Sequence, residues 1–162
     1  MDVSSKHVEG FGTHLDRGRA ASAEAALAAR LLGALALLTV GAVHLHEYDY
    51  LYSSIPTIGP LFLLNFVSAT LIGAGLLAPI ERFLGRFGGA AVALLALGGA
   101  LQAGTAFVFL LVSERTPLFG FMEPGYDPSG LMAARVSELA TVALLGGYLV
   151  ARFVAQRSVR PW

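Results

Sequence analysis

The sequence predicts an all-α fold, an integral membrane four-helix bundle with both termini on the cytoplasmic side. Three observations carry that expectation. The chain is 56% hydrophobic with a mean hydropathy of +0.68, and only 14% of its residues are charged, well below the usual quarter of a soluble domain. Its aliphatic residues gather in four blocks of roughly 20 residues, the length a helix needs to cross a hydrocarbon core of about 30 Å. Its basic residues also take sides. Lys6, Arg17, Arg19, Arg30, Arg82, Arg86, Arg152, Arg157 and Arg160 fall at one end of the blocks, and only Arg115 and Arg135 fall toward the other. Basic residues mark the cytoplasmic face.

Two function classes are excluded at this level. The formal net charge is zero, so there is no overall field to attract nucleic acid. With no cysteine, disulfides, thiolate chemistry and c-type haem attachment are absent.

Residues 1–23 are polar, carry Gly10, Gly12 and Gly18, and read as a flexible cytoplasmic tail. His7 and His14 lie here without regular ligand spacing. The bundle is expected over residues 24–152. Its first span, about 25–45, is long for a signal peptide and no small-x-small cleavage site follows it, so a retained signal anchor is expected. The stretch GAVHLHEYDYLYSSIPTIGPLFLLN from Gly41 to Asn65 closes this span, turns on Pro56 and Pro60, and opens the next. The second span, about 60–79, places Pro60 at the first helical position, with Gly59 or Thr57 as cap, and stops at Pro79 and Glu81. A tight loop, ERFLGRFGG, leads to the third span, about 90–112. Asp127 and Pro128 cap the fourth, about 130–151. Residues 153–162 form a second cytoplasmic tail.

Small residues recur along the spans: Gly33 and Gly41 in the first, Ala96, Ala100 and Gly104 in the third, Ala143 and Gly147 in the fourth. Such ridges let helices pack closely within the chain.

Each span also carries polar residues, and their depths agree. His44 sits near the outer end of the first, Asn65 and Ser68 share a face of the second, and Gln102 and Thr105 share a face of the third. Arg135 and Glu138 share a face of the fourth. At 1.5 Å per residue, Asn65, Gln102, Thr105, Arg135 and Glu138 lie roughly 7–17 Å from the outer ends. A charge at a helix centre costs about 2.5–3.5 kcal/mol on insertion scales. The plainer reading pairs Arg135 with Glu138 one turn apart, to offset that cost, and leaves the amides to hold the bundle together. The functional reading makes His44, Asn65, Gln102, Arg135 and Glu138 the ligand-binding residues of an outward-facing polar cavity. A shared depth in one leaflet favours the cavity, because polar groups that only join helices have no reason to keep one level.

His44, His46 and Glu47 are candidate metal ligands by type. The outer loops add only Glu114, Glu123, Asp127 and Met122, so no second ligand pair completes a motif and no metal or cofactor is expected. No other span carries a histidine to face His44 across a haem. Tyr48, Tyr50 and Tyr52 read as an aromatic belt at the interface. The second outer loop, SERTPLFGFMEPGYDPSG, is apolar enough that Leu118, Phe119, Phe121 and Met122 should lie back on the bundle, as a lid or as an interfacial anchor.

At IPTIGPLFLLN, the LFGFMEPGYDP loop and the Glu138 that follows, the chain resembles an uncharacterised group of four-span membrane proteins found in high-GC Gram-positive bacteria. The resemblance covers about residues 25–150 and implies the bundle architecture, with no activity attached. A looser similarity to the DoxX-type family extends to size and topology only. No nucleophile–base arrangement or phosphate loop is present to name a reaction.

The expected function is a non-enzymatic multi-pass protein of the plasma membrane whose cavity takes a proton or a small ligand such as a quinone head group. The alternatives are a structural or accessory subunit of a larger membrane complex and a metal-binding protein built on His44 and His46. The expected partners are the lipid bilayer and a membrane protein or second copy of the chain, with no nucleic acid.

Overall fold

The structure, a computed structural model, describes the backbone of residues 4–157 and the side chains of residue 18 and residues 20–157. Helix α1 runs over Ser4–Glu47 and passes into a π-helical turn, Tyr48–Tyr52. Helix α2 spans Ile58–Leu77, the short α3 Ile80–Leu84, α4 Gly88–Ser113 and α5 Pro128–Arg157, with a 3-10 turn at Gly85–Phe87 before α4. Among the described residues the only β pairing is one isolated bridge, Leu118 to Phe121. Segments containing α1, α2, α4 and α5 are each long and apolar enough to cross a membrane. The chain is a multi-pass membrane protein with an all-α four-helix bundle.

The four long helices run up, down, up and down. Helix α1 packs along both α2 and α5, and α4 closes the ring against α5 and, over a shorter seam, α2. Ala34 of α1 meets Leu76, Val92, Ala96, Leu145 and Tyr148 from the other helices in the core, and Leu37 and Val40 of α1 are fully buried. The outward faces are apolar as well: Leu64, Leu71, Leu94, Leu101, Val136 and Val150 are all more than half exposed. Such faces suit lipid and would be a liability in water.

Three expectations about the elements need correcting. Residues 1–23 are not all tail, because α1 begins at Ser4. The sequence AASAEAALAAR before the core is rich in the best helix former, so the helix of the first span propagates backward through it. Residues 1–3, and 158–162 of the expected C-terminal tail, lie outside the described residues, while residues 153–157 continue α5. Secondly, the cap of α2 is Thr57, one of the two residues expected there, but the helix starts at Ile58, so Pro60 stands at the third helical position and not the first. Proline is still tolerated there, because the first N–H groups of a helix have no partner within it. Thirdly, the expected loop ERFLGRFGG is mostly helical turns, α3 and the 3-10 turn.

The small-residue ridges divide. Gly33 lies against Leu145 and Gly41 against Ala69, and Ala96 of the third-span ridge is fully buried, so these do bring helices together; Gly99, outside the expected ridge, also sits between Leu37 and Leu145. Ala143 and Gly147 are exposed, and a Cβ on Gly147 would meet nothing within 4 Å. That ridge faces away from the bundle.

At the end of the bundle near α3, Arg30 is buried, at 8% exposure. Its Nε donates to Leu76 O at 2.8 Å and its Nη2 to Ala78 O at 3.2 Å, while Nη1 pairs with Glu81. The last carbonyls of α2 lack partners within their own helix, and a guanidinium placed there also complements the helix dipole. Arg30, read from the sequence only as an orientation signal, is therefore a cap for the neighbouring helix.

Candidate functional site

The opposite end of the bundle contains a cavity of about 380 Å³ bounded by all four long helices. Its walls are mainly apolar, and four of the five residues expected to form a site line it: His44 from α1, Asn65 from α2, Gln102 from α4 and Glu138 from α5. A cavity of this volume falls in the range of small-molecule sites.

His44 Nδ1 lies 2.9 Å from Val40 O, one turn back in α1. A carbonyl only accepts, so Nδ1 carries the proton and Nε2 is turned to the interior. There Nε2 stands 3.9 Å from Glu138 Oε1, too far for a hydrogen bond. Glu138 is 1% exposed, and its Oε2 has no hydrogen-bond partner. Where α4 meets α2, Gln102 Nε2 donates to both Asn65 O and Asn65 Oδ1 at 2.9 Å. This clamps α4 to α2 across their short seam and leaves Gln102 Oε1 buried without a partner. Ser68, Ser137 and Thr141 bond to carbonyls of their own helices and offer the site little.

Arg135 departs from expectation. It pairs with Glu114 at the end of α4, not with Glu138, and it does not line the cavity. The reason is reach. A long guanidinium side chain extends toward the helix end where polar groups collect, and Glu138, three residues further into α5, turns inward toward α1. Glu138 therefore has His44 as its nearest ionisable neighbour.

The mouth is covered by the loop between α4 and α5. Tyr52 OH donates to Glu123 Oε2 at 2.5 Å, Gly125 N donates to Glu123 Oε1 at 2.8 Å, and Glu123 N donates to Ser113 O at 2.8 Å. Tyr52 stacks on Phe62 with centroids 4.6 Å apart and meets the edge of Phe121 at 5.7 Å. Of the four apolar loop residues, Leu118 and Phe121 line the cavity, while Phe119 and Met122 are exposed. Leu118 and Phe121 thus lie back on the bundle as expected, whereas Phe119 and Met122 do not bury. Tyr52 and Glu123 were not expected to take part. Tyr50 is exposed as a belt residue should be, but Tyr52 is buried. The wide π-helical turn shifts the angular register, so a count at 3.6 residues per turn does not find it.

A second cluster lies beside the mouth. One ligand-type atom each from His46, Glu47 and Asp127 lie within 4.8 Å of one another. His44 is not part of it. Asp127 is the cap of α5: its Oδ1 accepts from Ser129 Oγ at 2.5 Å and from Ser129 N at 2.9 Å. The Ser129 hydroxyl, then the backbone amides of Gly130 and Ser129, hold this carboxyl below the usual aspartate range.

No family model matches the chain, and no curated protein or solved structure is detectably similar to it.

Proposed function

We propose that this membrane protein is a non-enzymatic binding protein whose cavity opens toward the outer face and takes a small amphipathic ligand. The orientation follows from the basic residues, which gather at the end opposite the cavity. The observation that carries the reading is the pair of orphaned acceptors, Gln102 Oε1 and Glu138 Oε2, on two walls of a cavity of about 380 Å³. A buried acceptor without a partner costs about 1–3 kcal/mol, and a ligand with hydroxyl donors at its head would recover that cost at both walls. The apolar remainder of the cavity suits a ring or short hydrocarbon body, so a quinol-type head group fits the chemistry. His44 Nε2, opposite Glu138, supplies a further polar contact.

The test uses the full chain in lipid nanodiscs with a short-chain benzoquinol as probe. Saturable binding is expected, weakened at least about tenfold in Gln102→Leu and in Glu138→Leu, with both variants retaining helical content. Binding that is absent in the parent, or unchanged from the parent in both variants, overturns the reading.

A structural or accessory role is the second reading. Its support is the ridge of Ala143 and Gly147, which is exposed on α5 and unused within the chain. Such a ridge suits a partner helix or a second copy.

A further inference from the structure

We propose that His46, Glu47 and Asp127 form a binding site for a divalent transition-metal ion at the rim of the bundle, joining the end of α1 to the start of α5. The site shares Glu47 with the cavity's mouth, but it does not depend on what the cavity binds.

The first argument is the donor set. One imidazole and two carboxylates, from three residues on two elements, have ligand atoms within 4.8 Å of one another. Around an ion at about 2.1 Å from each ligand, tetrahedral neighbours stand roughly 3.4 Å apart. The atoms must therefore close by up to about 1.4 Å, which exposed His46 can supply by side-chain rotation. Two carboxylates and a neutral imidazole also balance the charge of a divalent ion. The imidazole selects zinc and its neighbours over calcium and magnesium, which prefer oxygen.

The second argument is independent of the cluster's composition. Glu47 is 6% exposed, and its Oε1 is buried with no hydrogen-bond partner. A carboxylate oxygen in that condition is costly unless something positive sits against it. Of the neighbouring groups, only the Asp127 carboxyl is placed to relieve it, and only by sharing a proton. Glu123 is occupied by Tyr52 and Gly125. Arg135, the nearest arginine on α5, is held by Glu114.

The third argument is the space. Glu47 Oε1 and Asp127 Oδ2 converge over the bare face of Gly130, where a Cβ would stand 2.9 Å from Asp127 Oδ2 and closer still to Glu47. Asp127 divides its labour. Oδ1 caps α5 through Ser129, which fixes the carboxylate plane and presents Oδ2 toward Glu47. A glycine at the third position of a helix gains nothing from propensity; here it makes room for two carboxylates to approach. Like charges brought together need a proton or a cation between them, and the exposed imidazole of His46 completes the latter arrangement.

The experiment uses the full chain, stripped with chelator and exchanged into metal-free detergent, with Zn2+ alone as the probe in competition with a chromophoric chelator. One equivalent per chain is expected. Affinity should fall at least about tenfold in His46→Ala, in Asp127→Asn, which keeps a capping side chain, and in Gly130→Ala, which keeps the helix and fills the space. The His44→Ala variant should bind as the parent does. The proposal is overturned by no bound zinc in the parent, or by binding that survives both His46→Ala and Gly130→Ala. Loss of binding in His44→Ala with retention in His46→Ala also overturns it, because the metal would then belong to the cavity. Circular dichroism on each variant separates loss of the site from loss of the fold, and Gly130→Ala guards against a failure to fold in the others.

Discussion

The two ends of the bundle each bury charge, and they treat it differently. At the α3 end, Arg30 meets two carbonyls of α2 and the carboxylate of Glu81. At the other end, Glu47 Oε1, Gln102 Oε1, Arg135 Nε and Glu138 Oε2 are buried without partners, and among the described residues these are all such side-chain atoms. A charge whose bonds are all made inside the chain holds a fold together. Three of these atoms, on Glu47, Gln102 and Glu138, belong to residues that line one cavity; leaving them unpaired weakens the fold, and a binding site is a physical reason to keep them. The contrast separates structural polarity from polarity available to a ligand, a distinction that residue type alone does not make.

The largest effect expected is all-or-none and concerns which end faces which compartment. A periplasmic-type phosphatase reporter fused after Ser54 should be active, and the same reporter at the C-terminus should be silent. The reverse pattern would turn the cavity inward.

The next test compares the two ends by stability. Arg30→Ala removes a charged donor set and should lower unfolding free energy in detergent by about 3 kcal/mol. Glu138→Gln, which exchanges an unpaired buried carboxylate for a neutral amide, should change it by less than about 1 kcal/mol. Equal losses would erase the distinction between the ends.

A double-mutant cycle sharpens the account of Arg135. Coupling between Arg135 and Glu114, a partly exposed pair, should be about 0.5–1 kcal/mol, and coupling between Arg135 and Glu138 should be near zero. A larger coupling to Glu138 would restore the pairing on one helix face.

The smallest effect concerns pH. Asp127 titrates below its ordinary range in the folded chain because the Ser129 hydroxyl, then nearby backbone amides, favour its charged form. Its contribution is therefore fully present above the unfolded value of about 3.9 and is lost as pH falls through the lower folded value. Melting temperature of the metal-free protein should fall over that acid window, and Asp127→Asn should flatten the change. An unchanged slope in the variant would show that the cap is not the titrating group.

The spans and the depth of their polar residues were legible from the sequence because both are local properties. Hydropathy sums along a segment, and rise per residue converts position into depth. Four cavity residues, His44, Asn65, Gln102 and Glu138, were found in this way, as was the folding back of the loop at Leu118 and Phe121. Partner choice was not legible. From the sequence Arg135 is matched with Glu138 because i, i+3 and i, i+4 spacings are the only neighbour relations a single helix offers, whereas its actual partner Glu114 caps the end of α4. Arg30 as the cap of α2, Tyr52 bonded to Glu123, and Asp127 beside His46 and Glu47 all join segments distant in the chain. Such pairings depend on how each helix is rotated about its axis and slid against its neighbours. Side-chain packing sets that rotation and register jointly across α1, α2, α4 and α5, so it belongs to the assembled bundle and to no one of its segments.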